Sequence, residues 1–205
     1  MDALLLPEGL TRFTLQRLGT AGQAWLDELP TLVDFFCATW QVTVTGRPWS
    51  NSNVGLVLPV GRRDGTRAVL KLSPHDDGTV AEARGLAFWD GRGAVRLLDC
   101  DLDTVALLME RAVPGTTLRE LADDAEAIAL AADCLWELWR PMAKGGDFST
   151  AAAVAPRWAA QCRAWYEQLG RPLEPRLLDE ALDALAQLPP SAPEAVLCHQ
   201  DAHQE

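Results

Sequence analysis

Apolar residues recur along the chain with two different periods, and the period changes near residue 40 and again near residue 112. Up to that first change Leu29, Leu32, Val33, Phe36 and Trp40 fall on one face at helical spacing. Residues 1–40 are therefore expected to be mainly helical after a short loop, with Pro30 in the first turn of a second helix. From Gln41 the pattern shortens to alternation. Residues 41–45, 54–60 and 67–72 read as three strands, separated by turn chemistry at 46–53 and by an Asp64-Gly65 hairpin signal. A helix follows, with Thr79 and Glu82 as its capping pair and Val80, Ala83 and Ala87 as its stripe. Gly91-Arg92-Gly93 ends it, and residues 95–98 and 105–109 read as strands four and five, linked by the turn-rich Asp99–Thr104.

Beyond Pro114-Gly115 the helical period returns. Asp123 or Asp124 can cap a helix carrying Ile128, Ala132, Leu135 and Trp139, with Pro141 at its end. A loop at Lys144–Asp147 follows. Trp158, Cys162, Trp165 and Leu169 mark a second helix, stopped by Gly170. Leu178, Ala181, Leu182, Leu185 and Leu188 mark a third, closed by Pro189-Pro190. The tryptophans on these stripes are expected in the core. The class is α+β. A helical segment (1–40) packs on a β-rich part (41–111) whose five antiparallel strands include one helix, and a helical part (112–205) completes the chain.

Composition narrows the choices. A hydrophobic content of 48% over 205 residues can bury a sizeable core. No run of 18 apolar residues predicts a membrane span, and the start of the chain lacks a basic secretory n-region, so a cytoplasmic protein is expected. Five scattered cysteines, Cys37, Cys100, Cys134, Cys162 and Cys198, read as reduced core residues rather than a disulfide frame or a zinc site. The net charge of −11 disfavours nucleic acid and anionic membranes as partners and suits a cationic ligand. Only two of the 18 basic residues are lysines, Lys71 and Lys144, so each invites a question about a compact ammonium.

Lys71 lies on the third strand, where Val69 and Lys71 share one face and Ala68, Leu70 and Leu72 the other. An ammonium beneath the turn joining strands one and two can hold nucleotide phosphates. Glu82, in the following helix, can pair with it and fix its position. Ser50, Asn51, Ser52 and Asn53, with their backbone N–H groups, can bond phosphate oxygens. Glu110, Arg111 and Ala112 form an extended linker whose backbone can read an adenine edge, with Met109 nearby. Near the C-terminus Val196-Leu197-Cys198, read as a short buried strand, runs into His199-Gln200-Asp201. A carboxylate held there can orient a substrate hydroxyl and accept its proton during phosphoryl transfer.

Taken in order, loop, strand lysine, helix glutamate, linker, helical part and H-x-D resemble the aminoglycoside phosphotransferases, small-molecule members of the protein-kinase-like fold. Their catalytic stretch runs H-x-D-x-x-x-x-N, often with a second histidine two residues after the aspartate, as in His199–Glu205 with His203. Ala24-Trp25-Leu26, Leu29–Val33, Asp64–Leu72, Val95–Asp99 and Leu107–Arg111 are similar to the streptomycin 6-phosphotransferase branch, grouped with hydroxyurea phosphotransferases. Gln200 stands where the wider family often has glycine, and Ala202 where it has leucine.

The resemblance implies a two-lobed fold, with residues 112–205 as a partial helical lobe. It also implies ATP and Mg2+ as cofactors and a cationic aminoglycoside as acceptor. Asp201 would take the hydroxyl proton, His199 would brace the loop, and Lys71 held by Glu82 would grip the α/β-phosphates. Residues 50–53 would cover those phosphates, and Glu110–Ala112 would seat adenine. The family's asparagine and later metal-binding aspartate fall after Glu205, so the chain is expected to be C-terminally truncated. It would then hold no metal ligands and be inactive by itself. Alternatives are a kinase for another small hydroxylated acceptor such as hydroxyurea, or an inactive kinase-like nucleotide-binding protein.

Overall fold

The computed structural model describes residues 4–142 and 147–201. The expected Lys144 loop and the second histidine, His203, fall outside the described residues. By its contacts the chain divides into two compact units, residues 1–138 with 199–205, and residues 139–198.

The first unit opens with α1 (Glu8–Thr39), broken at Gly19, whose φ of 57° and ψ of −128° no helix accommodates. This corrects the expected break: the change of direction comes at glycine, and Pro30 lies inside the helical stretch rather than in a first turn. Five strands follow, β1 (Val42–Val44), β2 (Leu56–Arg62), β3 (Arg67–Leu72), β4 (Leu97–Asp101) and β5 (Ala106–Glu110), with α2 (Asp77–Trp89) between β3 and β4. All neighbours are antiparallel, in the order β1-β2-β3-β5-β4, so β3 is central and β5 is slotted between it and β4. The Asp-Gly turn forms as expected. Gly65 adopts φ +84°, and Asp64 Oδ1 accepts from the Thr66 N–H and hydroxyl at 2.9 and 2.6 Å.

The pleat separates two cores. One face sends Leu56, Leu58, Val60, Ala68, Leu70, Leu72, Ala106 and Leu108 against Leu26, Leu29, Val33 and Phe36 of α1. The opposite face sends Val57, Val69, Leu107 and Met109 against Ala83 and Leu86 of α2. The buried stripe of α2 is Ala83, Leu86 and Trp89, while Ala87 is exposed, because the sheet lies on that side of the helix.

Helix α3 (Asp124–Leu138) ends the sheet-bearing run, with Asp123 Oδ1 accepting from the Ala125 N–H at 2.8 Å. Its inward positions are Ala127, Ala131, Leu135 and Leu138, and Ile128 is 69% exposed, against expectation. The helix is apolar on more than one side, so periodicity alone could not choose the covered stripe.

In the second unit α4 (Ala151–Gln168) packs on α5 (Pro175–Ser191). Ala155, Tyr166 and Leu182 are buried, whereas Trp165, Leu169 and Leu188 are exposed. Two helices can cover only their facing sides, and the expected core places for these three residues are not realised among the described residues. Pro189 and Pro190 sit within the last turn of α5 rather than beyond it. The expected strand at Val196 reduces to a single antiparallel bridge with Pro141. No helix among the described residues is long and apolar enough to cross a membrane.

Candidate active site

Lys71 sits on the central strand, between Val57 of β2 and Leu107 of β5 in register. Alternation turns its side chain to the α2 face, with Val69, as the sequence pattern required. Two of its neighbours there are aliphatic, and its side chain is only 18% exposed. An ammonium in such surroundings needs a partner. Glu82 supplies it, with Oε1 2.5 Å from Nζ.

Glu82 is available because it does not cap α2. The cap is Asp76, whose side chain accepts from the Thr79 N–H at 2.8 Å, while Thr79 Oγ1 accepts from the Asp76 N–H at 3.0 Å. Thr79 is thus the third helical residue and not the cap. Arg17 of α1 reaches the same Asp76 carboxylate at 3.1 Å. The N-terminus of α2 is held by these groups, and Glu82, one turn further on, is left to the sheet.

The loop between β1 and β2 is closed by its own bonds. The Trp49 N–H donates to Val57 O at 3.0 Å, and Ser52 Oγ donates to Gly55 O at 2.6 Å. Gly55 must be glycine: a Cβ there would stand 2.5 Å from Ser73 Oγ and 2.7 Å from Leu72 O. Asn53 turns its amide toward Gly9 at the start of α1. Ser50 and Asn51 are exposed at the tip. Of the four loop residues, only these two therefore present side chains not already turned to a neighbouring segment.

The expected linker is divided in the same way. Glu110 is the last residue of β5, not part of a linker: its N–H donates to Arg96 O at 2.9 Å, and its Oε1 accepts from the Arg96 N–H at 2.8 Å. Arg111 places its guanidinium 5.9 Å from the centroid of the Trp49 ring, a cation–π contact that joins the linker to the loop. Ala112 is exposed.

His199 and Asp201 belong to the sheet-bearing unit. The His199 ring stacks on the indole of Trp89, with centroids 6.0 Å apart and planes 21° apart. Between the two site residues Gln200 adopts φ 67°, in the left-handed region that favours glycine. Asp201 is exposed, on the far side of that turn.

The structure therefore joins Lys71 to Glu82, Arg111 to the β1–β2 loop, and His199 to the end of α2. It assigns Ser52 and Glu110 local hydrogen-bond partners and sets the Asn53 side chain beside Gly9. Three participants escaped the sequence reading: Asp76, Trp49 as the seat for Arg111, and Trp89. Trp89 carried a signal, since it lies two turns after Glu82 along one helix face. Among the described residues no group of three His, Cys, Asp or Glu side chains is placed to hold a metal ion.

Residues 39–205 match the family described as aminoglycoside/hydroxyurea antibiotic resistance kinase. The chain is 36% identical to a streptomycin 6-kinase of Streptomyces glaucescens over 204 residues, covering 97% of this chain and 64% of that protein. It is 39% identical over 134 residues to the streptomycin 6-kinase of Streptomyces griseus, covering 65% of this chain and 43% of that one. A hydroxyurea phosphotransferase of Kitasatospora aureofaciens is 36% identical over 200 residues, 97% of this chain and 58% of that protein. The chain thus spans less than two thirds of the length of these relatives. Among solved structures, a macrolide 2′-phosphotransferase from Brachybacterium faecium superposes with a TM-score of 0.44 at 19% identity, over 87% of this chain and 66% of that one.

Proposed function

The chain belongs to the aminoglycoside/hydroxyurea antibiotic resistance kinase family, and from that premise we propose that the protein transfers the γ-phosphoryl group of ATP to a hydroxyl of an aminoglycoside. Streptomycin at its 6-position is the foremost acceptor, and the product is an inactivated antibiotic. The observation that carries this reading is the Lys71–Glu82 pair on the α2 face of the central strand. Protein kinases use a lysine on the equivalent strand, paired with a glutamate of the following helix, to grip the α/β-phosphates. A mobile lysine would lose rotamer entropy on meeting a phosphate; one already fixed by Glu82 loses less.

In this reading Lys71 binds the phosphates, and the exposed tip at Ser50 and Asn51 covers them together with backbone N–H groups of residues 50–53. The stretch Glu110–Ala112 borders adenine through its backbone. Asp201 orients the acceptor hydroxyl and takes its proton as the O–P bond forms, and His199 braces the segment. Mg2+ accompanies ATP and would neutralise phosphate charge. The described residues do not assemble a ligand set for it. The reaction is placed in the cytoplasm. The acidic chain, at net charge −11, favours the approach of a cationic acceptor.

The test is direct. Protein of the full length of these relatives is incubated, beside the 205-residue chain, with ATP, Mg2+ and either streptomycin or hydroxyurea, and each acceptor is examined for the mass of one added phosphate. Phosphorylated streptomycin is the expected product of the full-length protein. The 36% identity to a hydroxyurea phosphotransferase over nearly the whole chain favours a second reading, in which hydroxyurea gains the phosphate instead. Gain by neither acceptor, from protein shown to be folded, overturns both.

A further inference from the structure

Trp89 is the last residue of α2 and is 6% exposed. Three contacts hold its indole. Its Nε1–H donates to Leu138 O at 3.0 Å, a carbonyl in the last turn of α3 that the helix cannot satisfy itself. Its benzo edge lies over Gly85, where an added Cβ would stand 3.2 Å from Cζ3. A glycine in mid-helix disfavours the helix, and here it leaves the notch the indole occupies. Its open face carries the imidazole of His199.

We propose that Trp89 is a positioning residue: by seating His199, it fixes where Asp201 stands relative to the helix that holds Lys71. The proposal rests on the function argued above, in which Asp201 faces the acceptor hydroxyl. The chain between the two ends is short. Glu82 precedes Trp89 by seven residues on one helix, about 10 Å along its axis, so one rigid rod carries the partner of Lys71 and the seat of His199. From His199 a single left-handed residue, Gln200, leads to Asp201. In-line transfer needs the hydroxyl, the carboxylate and the phosphorus held together, and an error of about 1 Å can cost about 10²-fold in rate. Trp89 touches none of the reacting groups and acts through His199.

The experiment uses Trp89→Leu, Trp89→Phe and Gly85→Ala in the whole protein. It reads kcat, KM for ATP, thermal midpoint, and the ring resonances of His199 in histidine-labelled protein; with three histidines in the chain, the assignment is tractable. Trp89→Leu is expected to lower kcat by about 10²-fold with KM for ATP changed less than about twofold, and to remove the indole ring-current shift from His199. Trp89→Phe keeps a ring without the Nε1 donor and is expected to lose less on both measures. Gly85→Ala presses the indole by a few tenths of an ångström and is expected to move the His199 resonances without lowering the thermal midpoint. Unchanged His199 resonances in Trp89→Leu and Gly85→Ala overturn the proposal. So does a loss of kcat that tracks KM and thermal midpoint equally in Leu and Phe, the behaviour of a merely structural core residue. Should Trp89→Leu fail to fold, the other two variants decide. Should the unaltered protein phosphorylate no acceptor, the function fails, and the resonances alone decide whether Trp89 positions His199.

Discussion

Glu82 Oε1 lies 2.5 Å from Lys71 Nζ, joining the first half of α2 to the central strand of the sheet. The side chains are 18% and 35% exposed, so the pair is partly screened by water and contributes little net stability. Its consequence is positional: one ammonium is held at a defined place on the α2 face.

Lys71→Met is therefore expected to lower kcat/KM by about 10²–10³-fold, the range found when one charge-stabilising donor is removed. Stability should change by no more than about 1 kcal/mol. Glu82→Gln should give a smaller loss, seen mainly in KM for ATP, because the ammonium remains but is less well fixed. Steady-state kinetics with a denaturant melt of each variant checks both. Equal activity in all three proteins would remove Lys71 from the site.

In the full-length protein Asp201→Ala is expected to lower kcat by about 10²–10⁴-fold, the usual contribution of a positioned general base, while ATP binding stays largely intact. Calorimetric titration with a non-hydrolysable ATP analogue, beside turnover, separates the two. Retained turnover would deny Asp201 the role of base.

Asp76→Ala removes the side-chain acceptor at the start of α2 and should destabilise by about 1 kcal/mol. For a chain of this size that lowers the thermal midpoint by about 2–4 °C. Asp76→Asn should keep most of the cap, since the amide oxygen can accept the same Thr79 N–H. An unaltered midpoint in the alanine variant would show that α2 is held by its packing alone.

Asp101 closes the β4–β5 turn, and bonds from the Thr104 backbone N–H and hydroxyl, at 2.9 and 2.7 Å, hold its carboxyl below the usual aspartate range. A carboxyl depressed in the folded state stabilises above its unfolded pKa, about 3.9, and that contribution fades as pH falls through the lower folded value. Thr104→Val, which removes the hydroxyl donor, should therefore cost stability at neutral pH and flatten the fall below about pH 4. Urea midpoints at neutral pH and across that acid range provide the measurement. Parallel acid limbs in both proteins would show that Asp101 does not contribute.

Several expectations failed where an apolar pattern admitted more than one answer. Trp139, Trp165, Leu169 and Ile128 repeat at helical spacing yet are exposed, and so are Cys100, Cys134 and Cys198, because spacing names a stripe and not its cover. Thr79 and Glu82 fit a capping box by sequence, but Asp76 lies three residues earlier and takes the cap. Pro30 resembled a helix start, and Gly19 made the break.

The chain by itself determined that residues 67–72 are a strand and that Lys71 and Val69 share a face, because side chains on a pleated strand must alternate. It also determined the hairpin at Asp64-Gly65, where a positive φ is needed and glycine stands. Tertiary structure alone decided that β5 lies between β3 and β4, that α2 covers the face bearing Lys71, and that Trp89 meets Leu138 and His199. Those contacts join residues far apart along the chain, and no local period encodes which distant side chain will fill a given space.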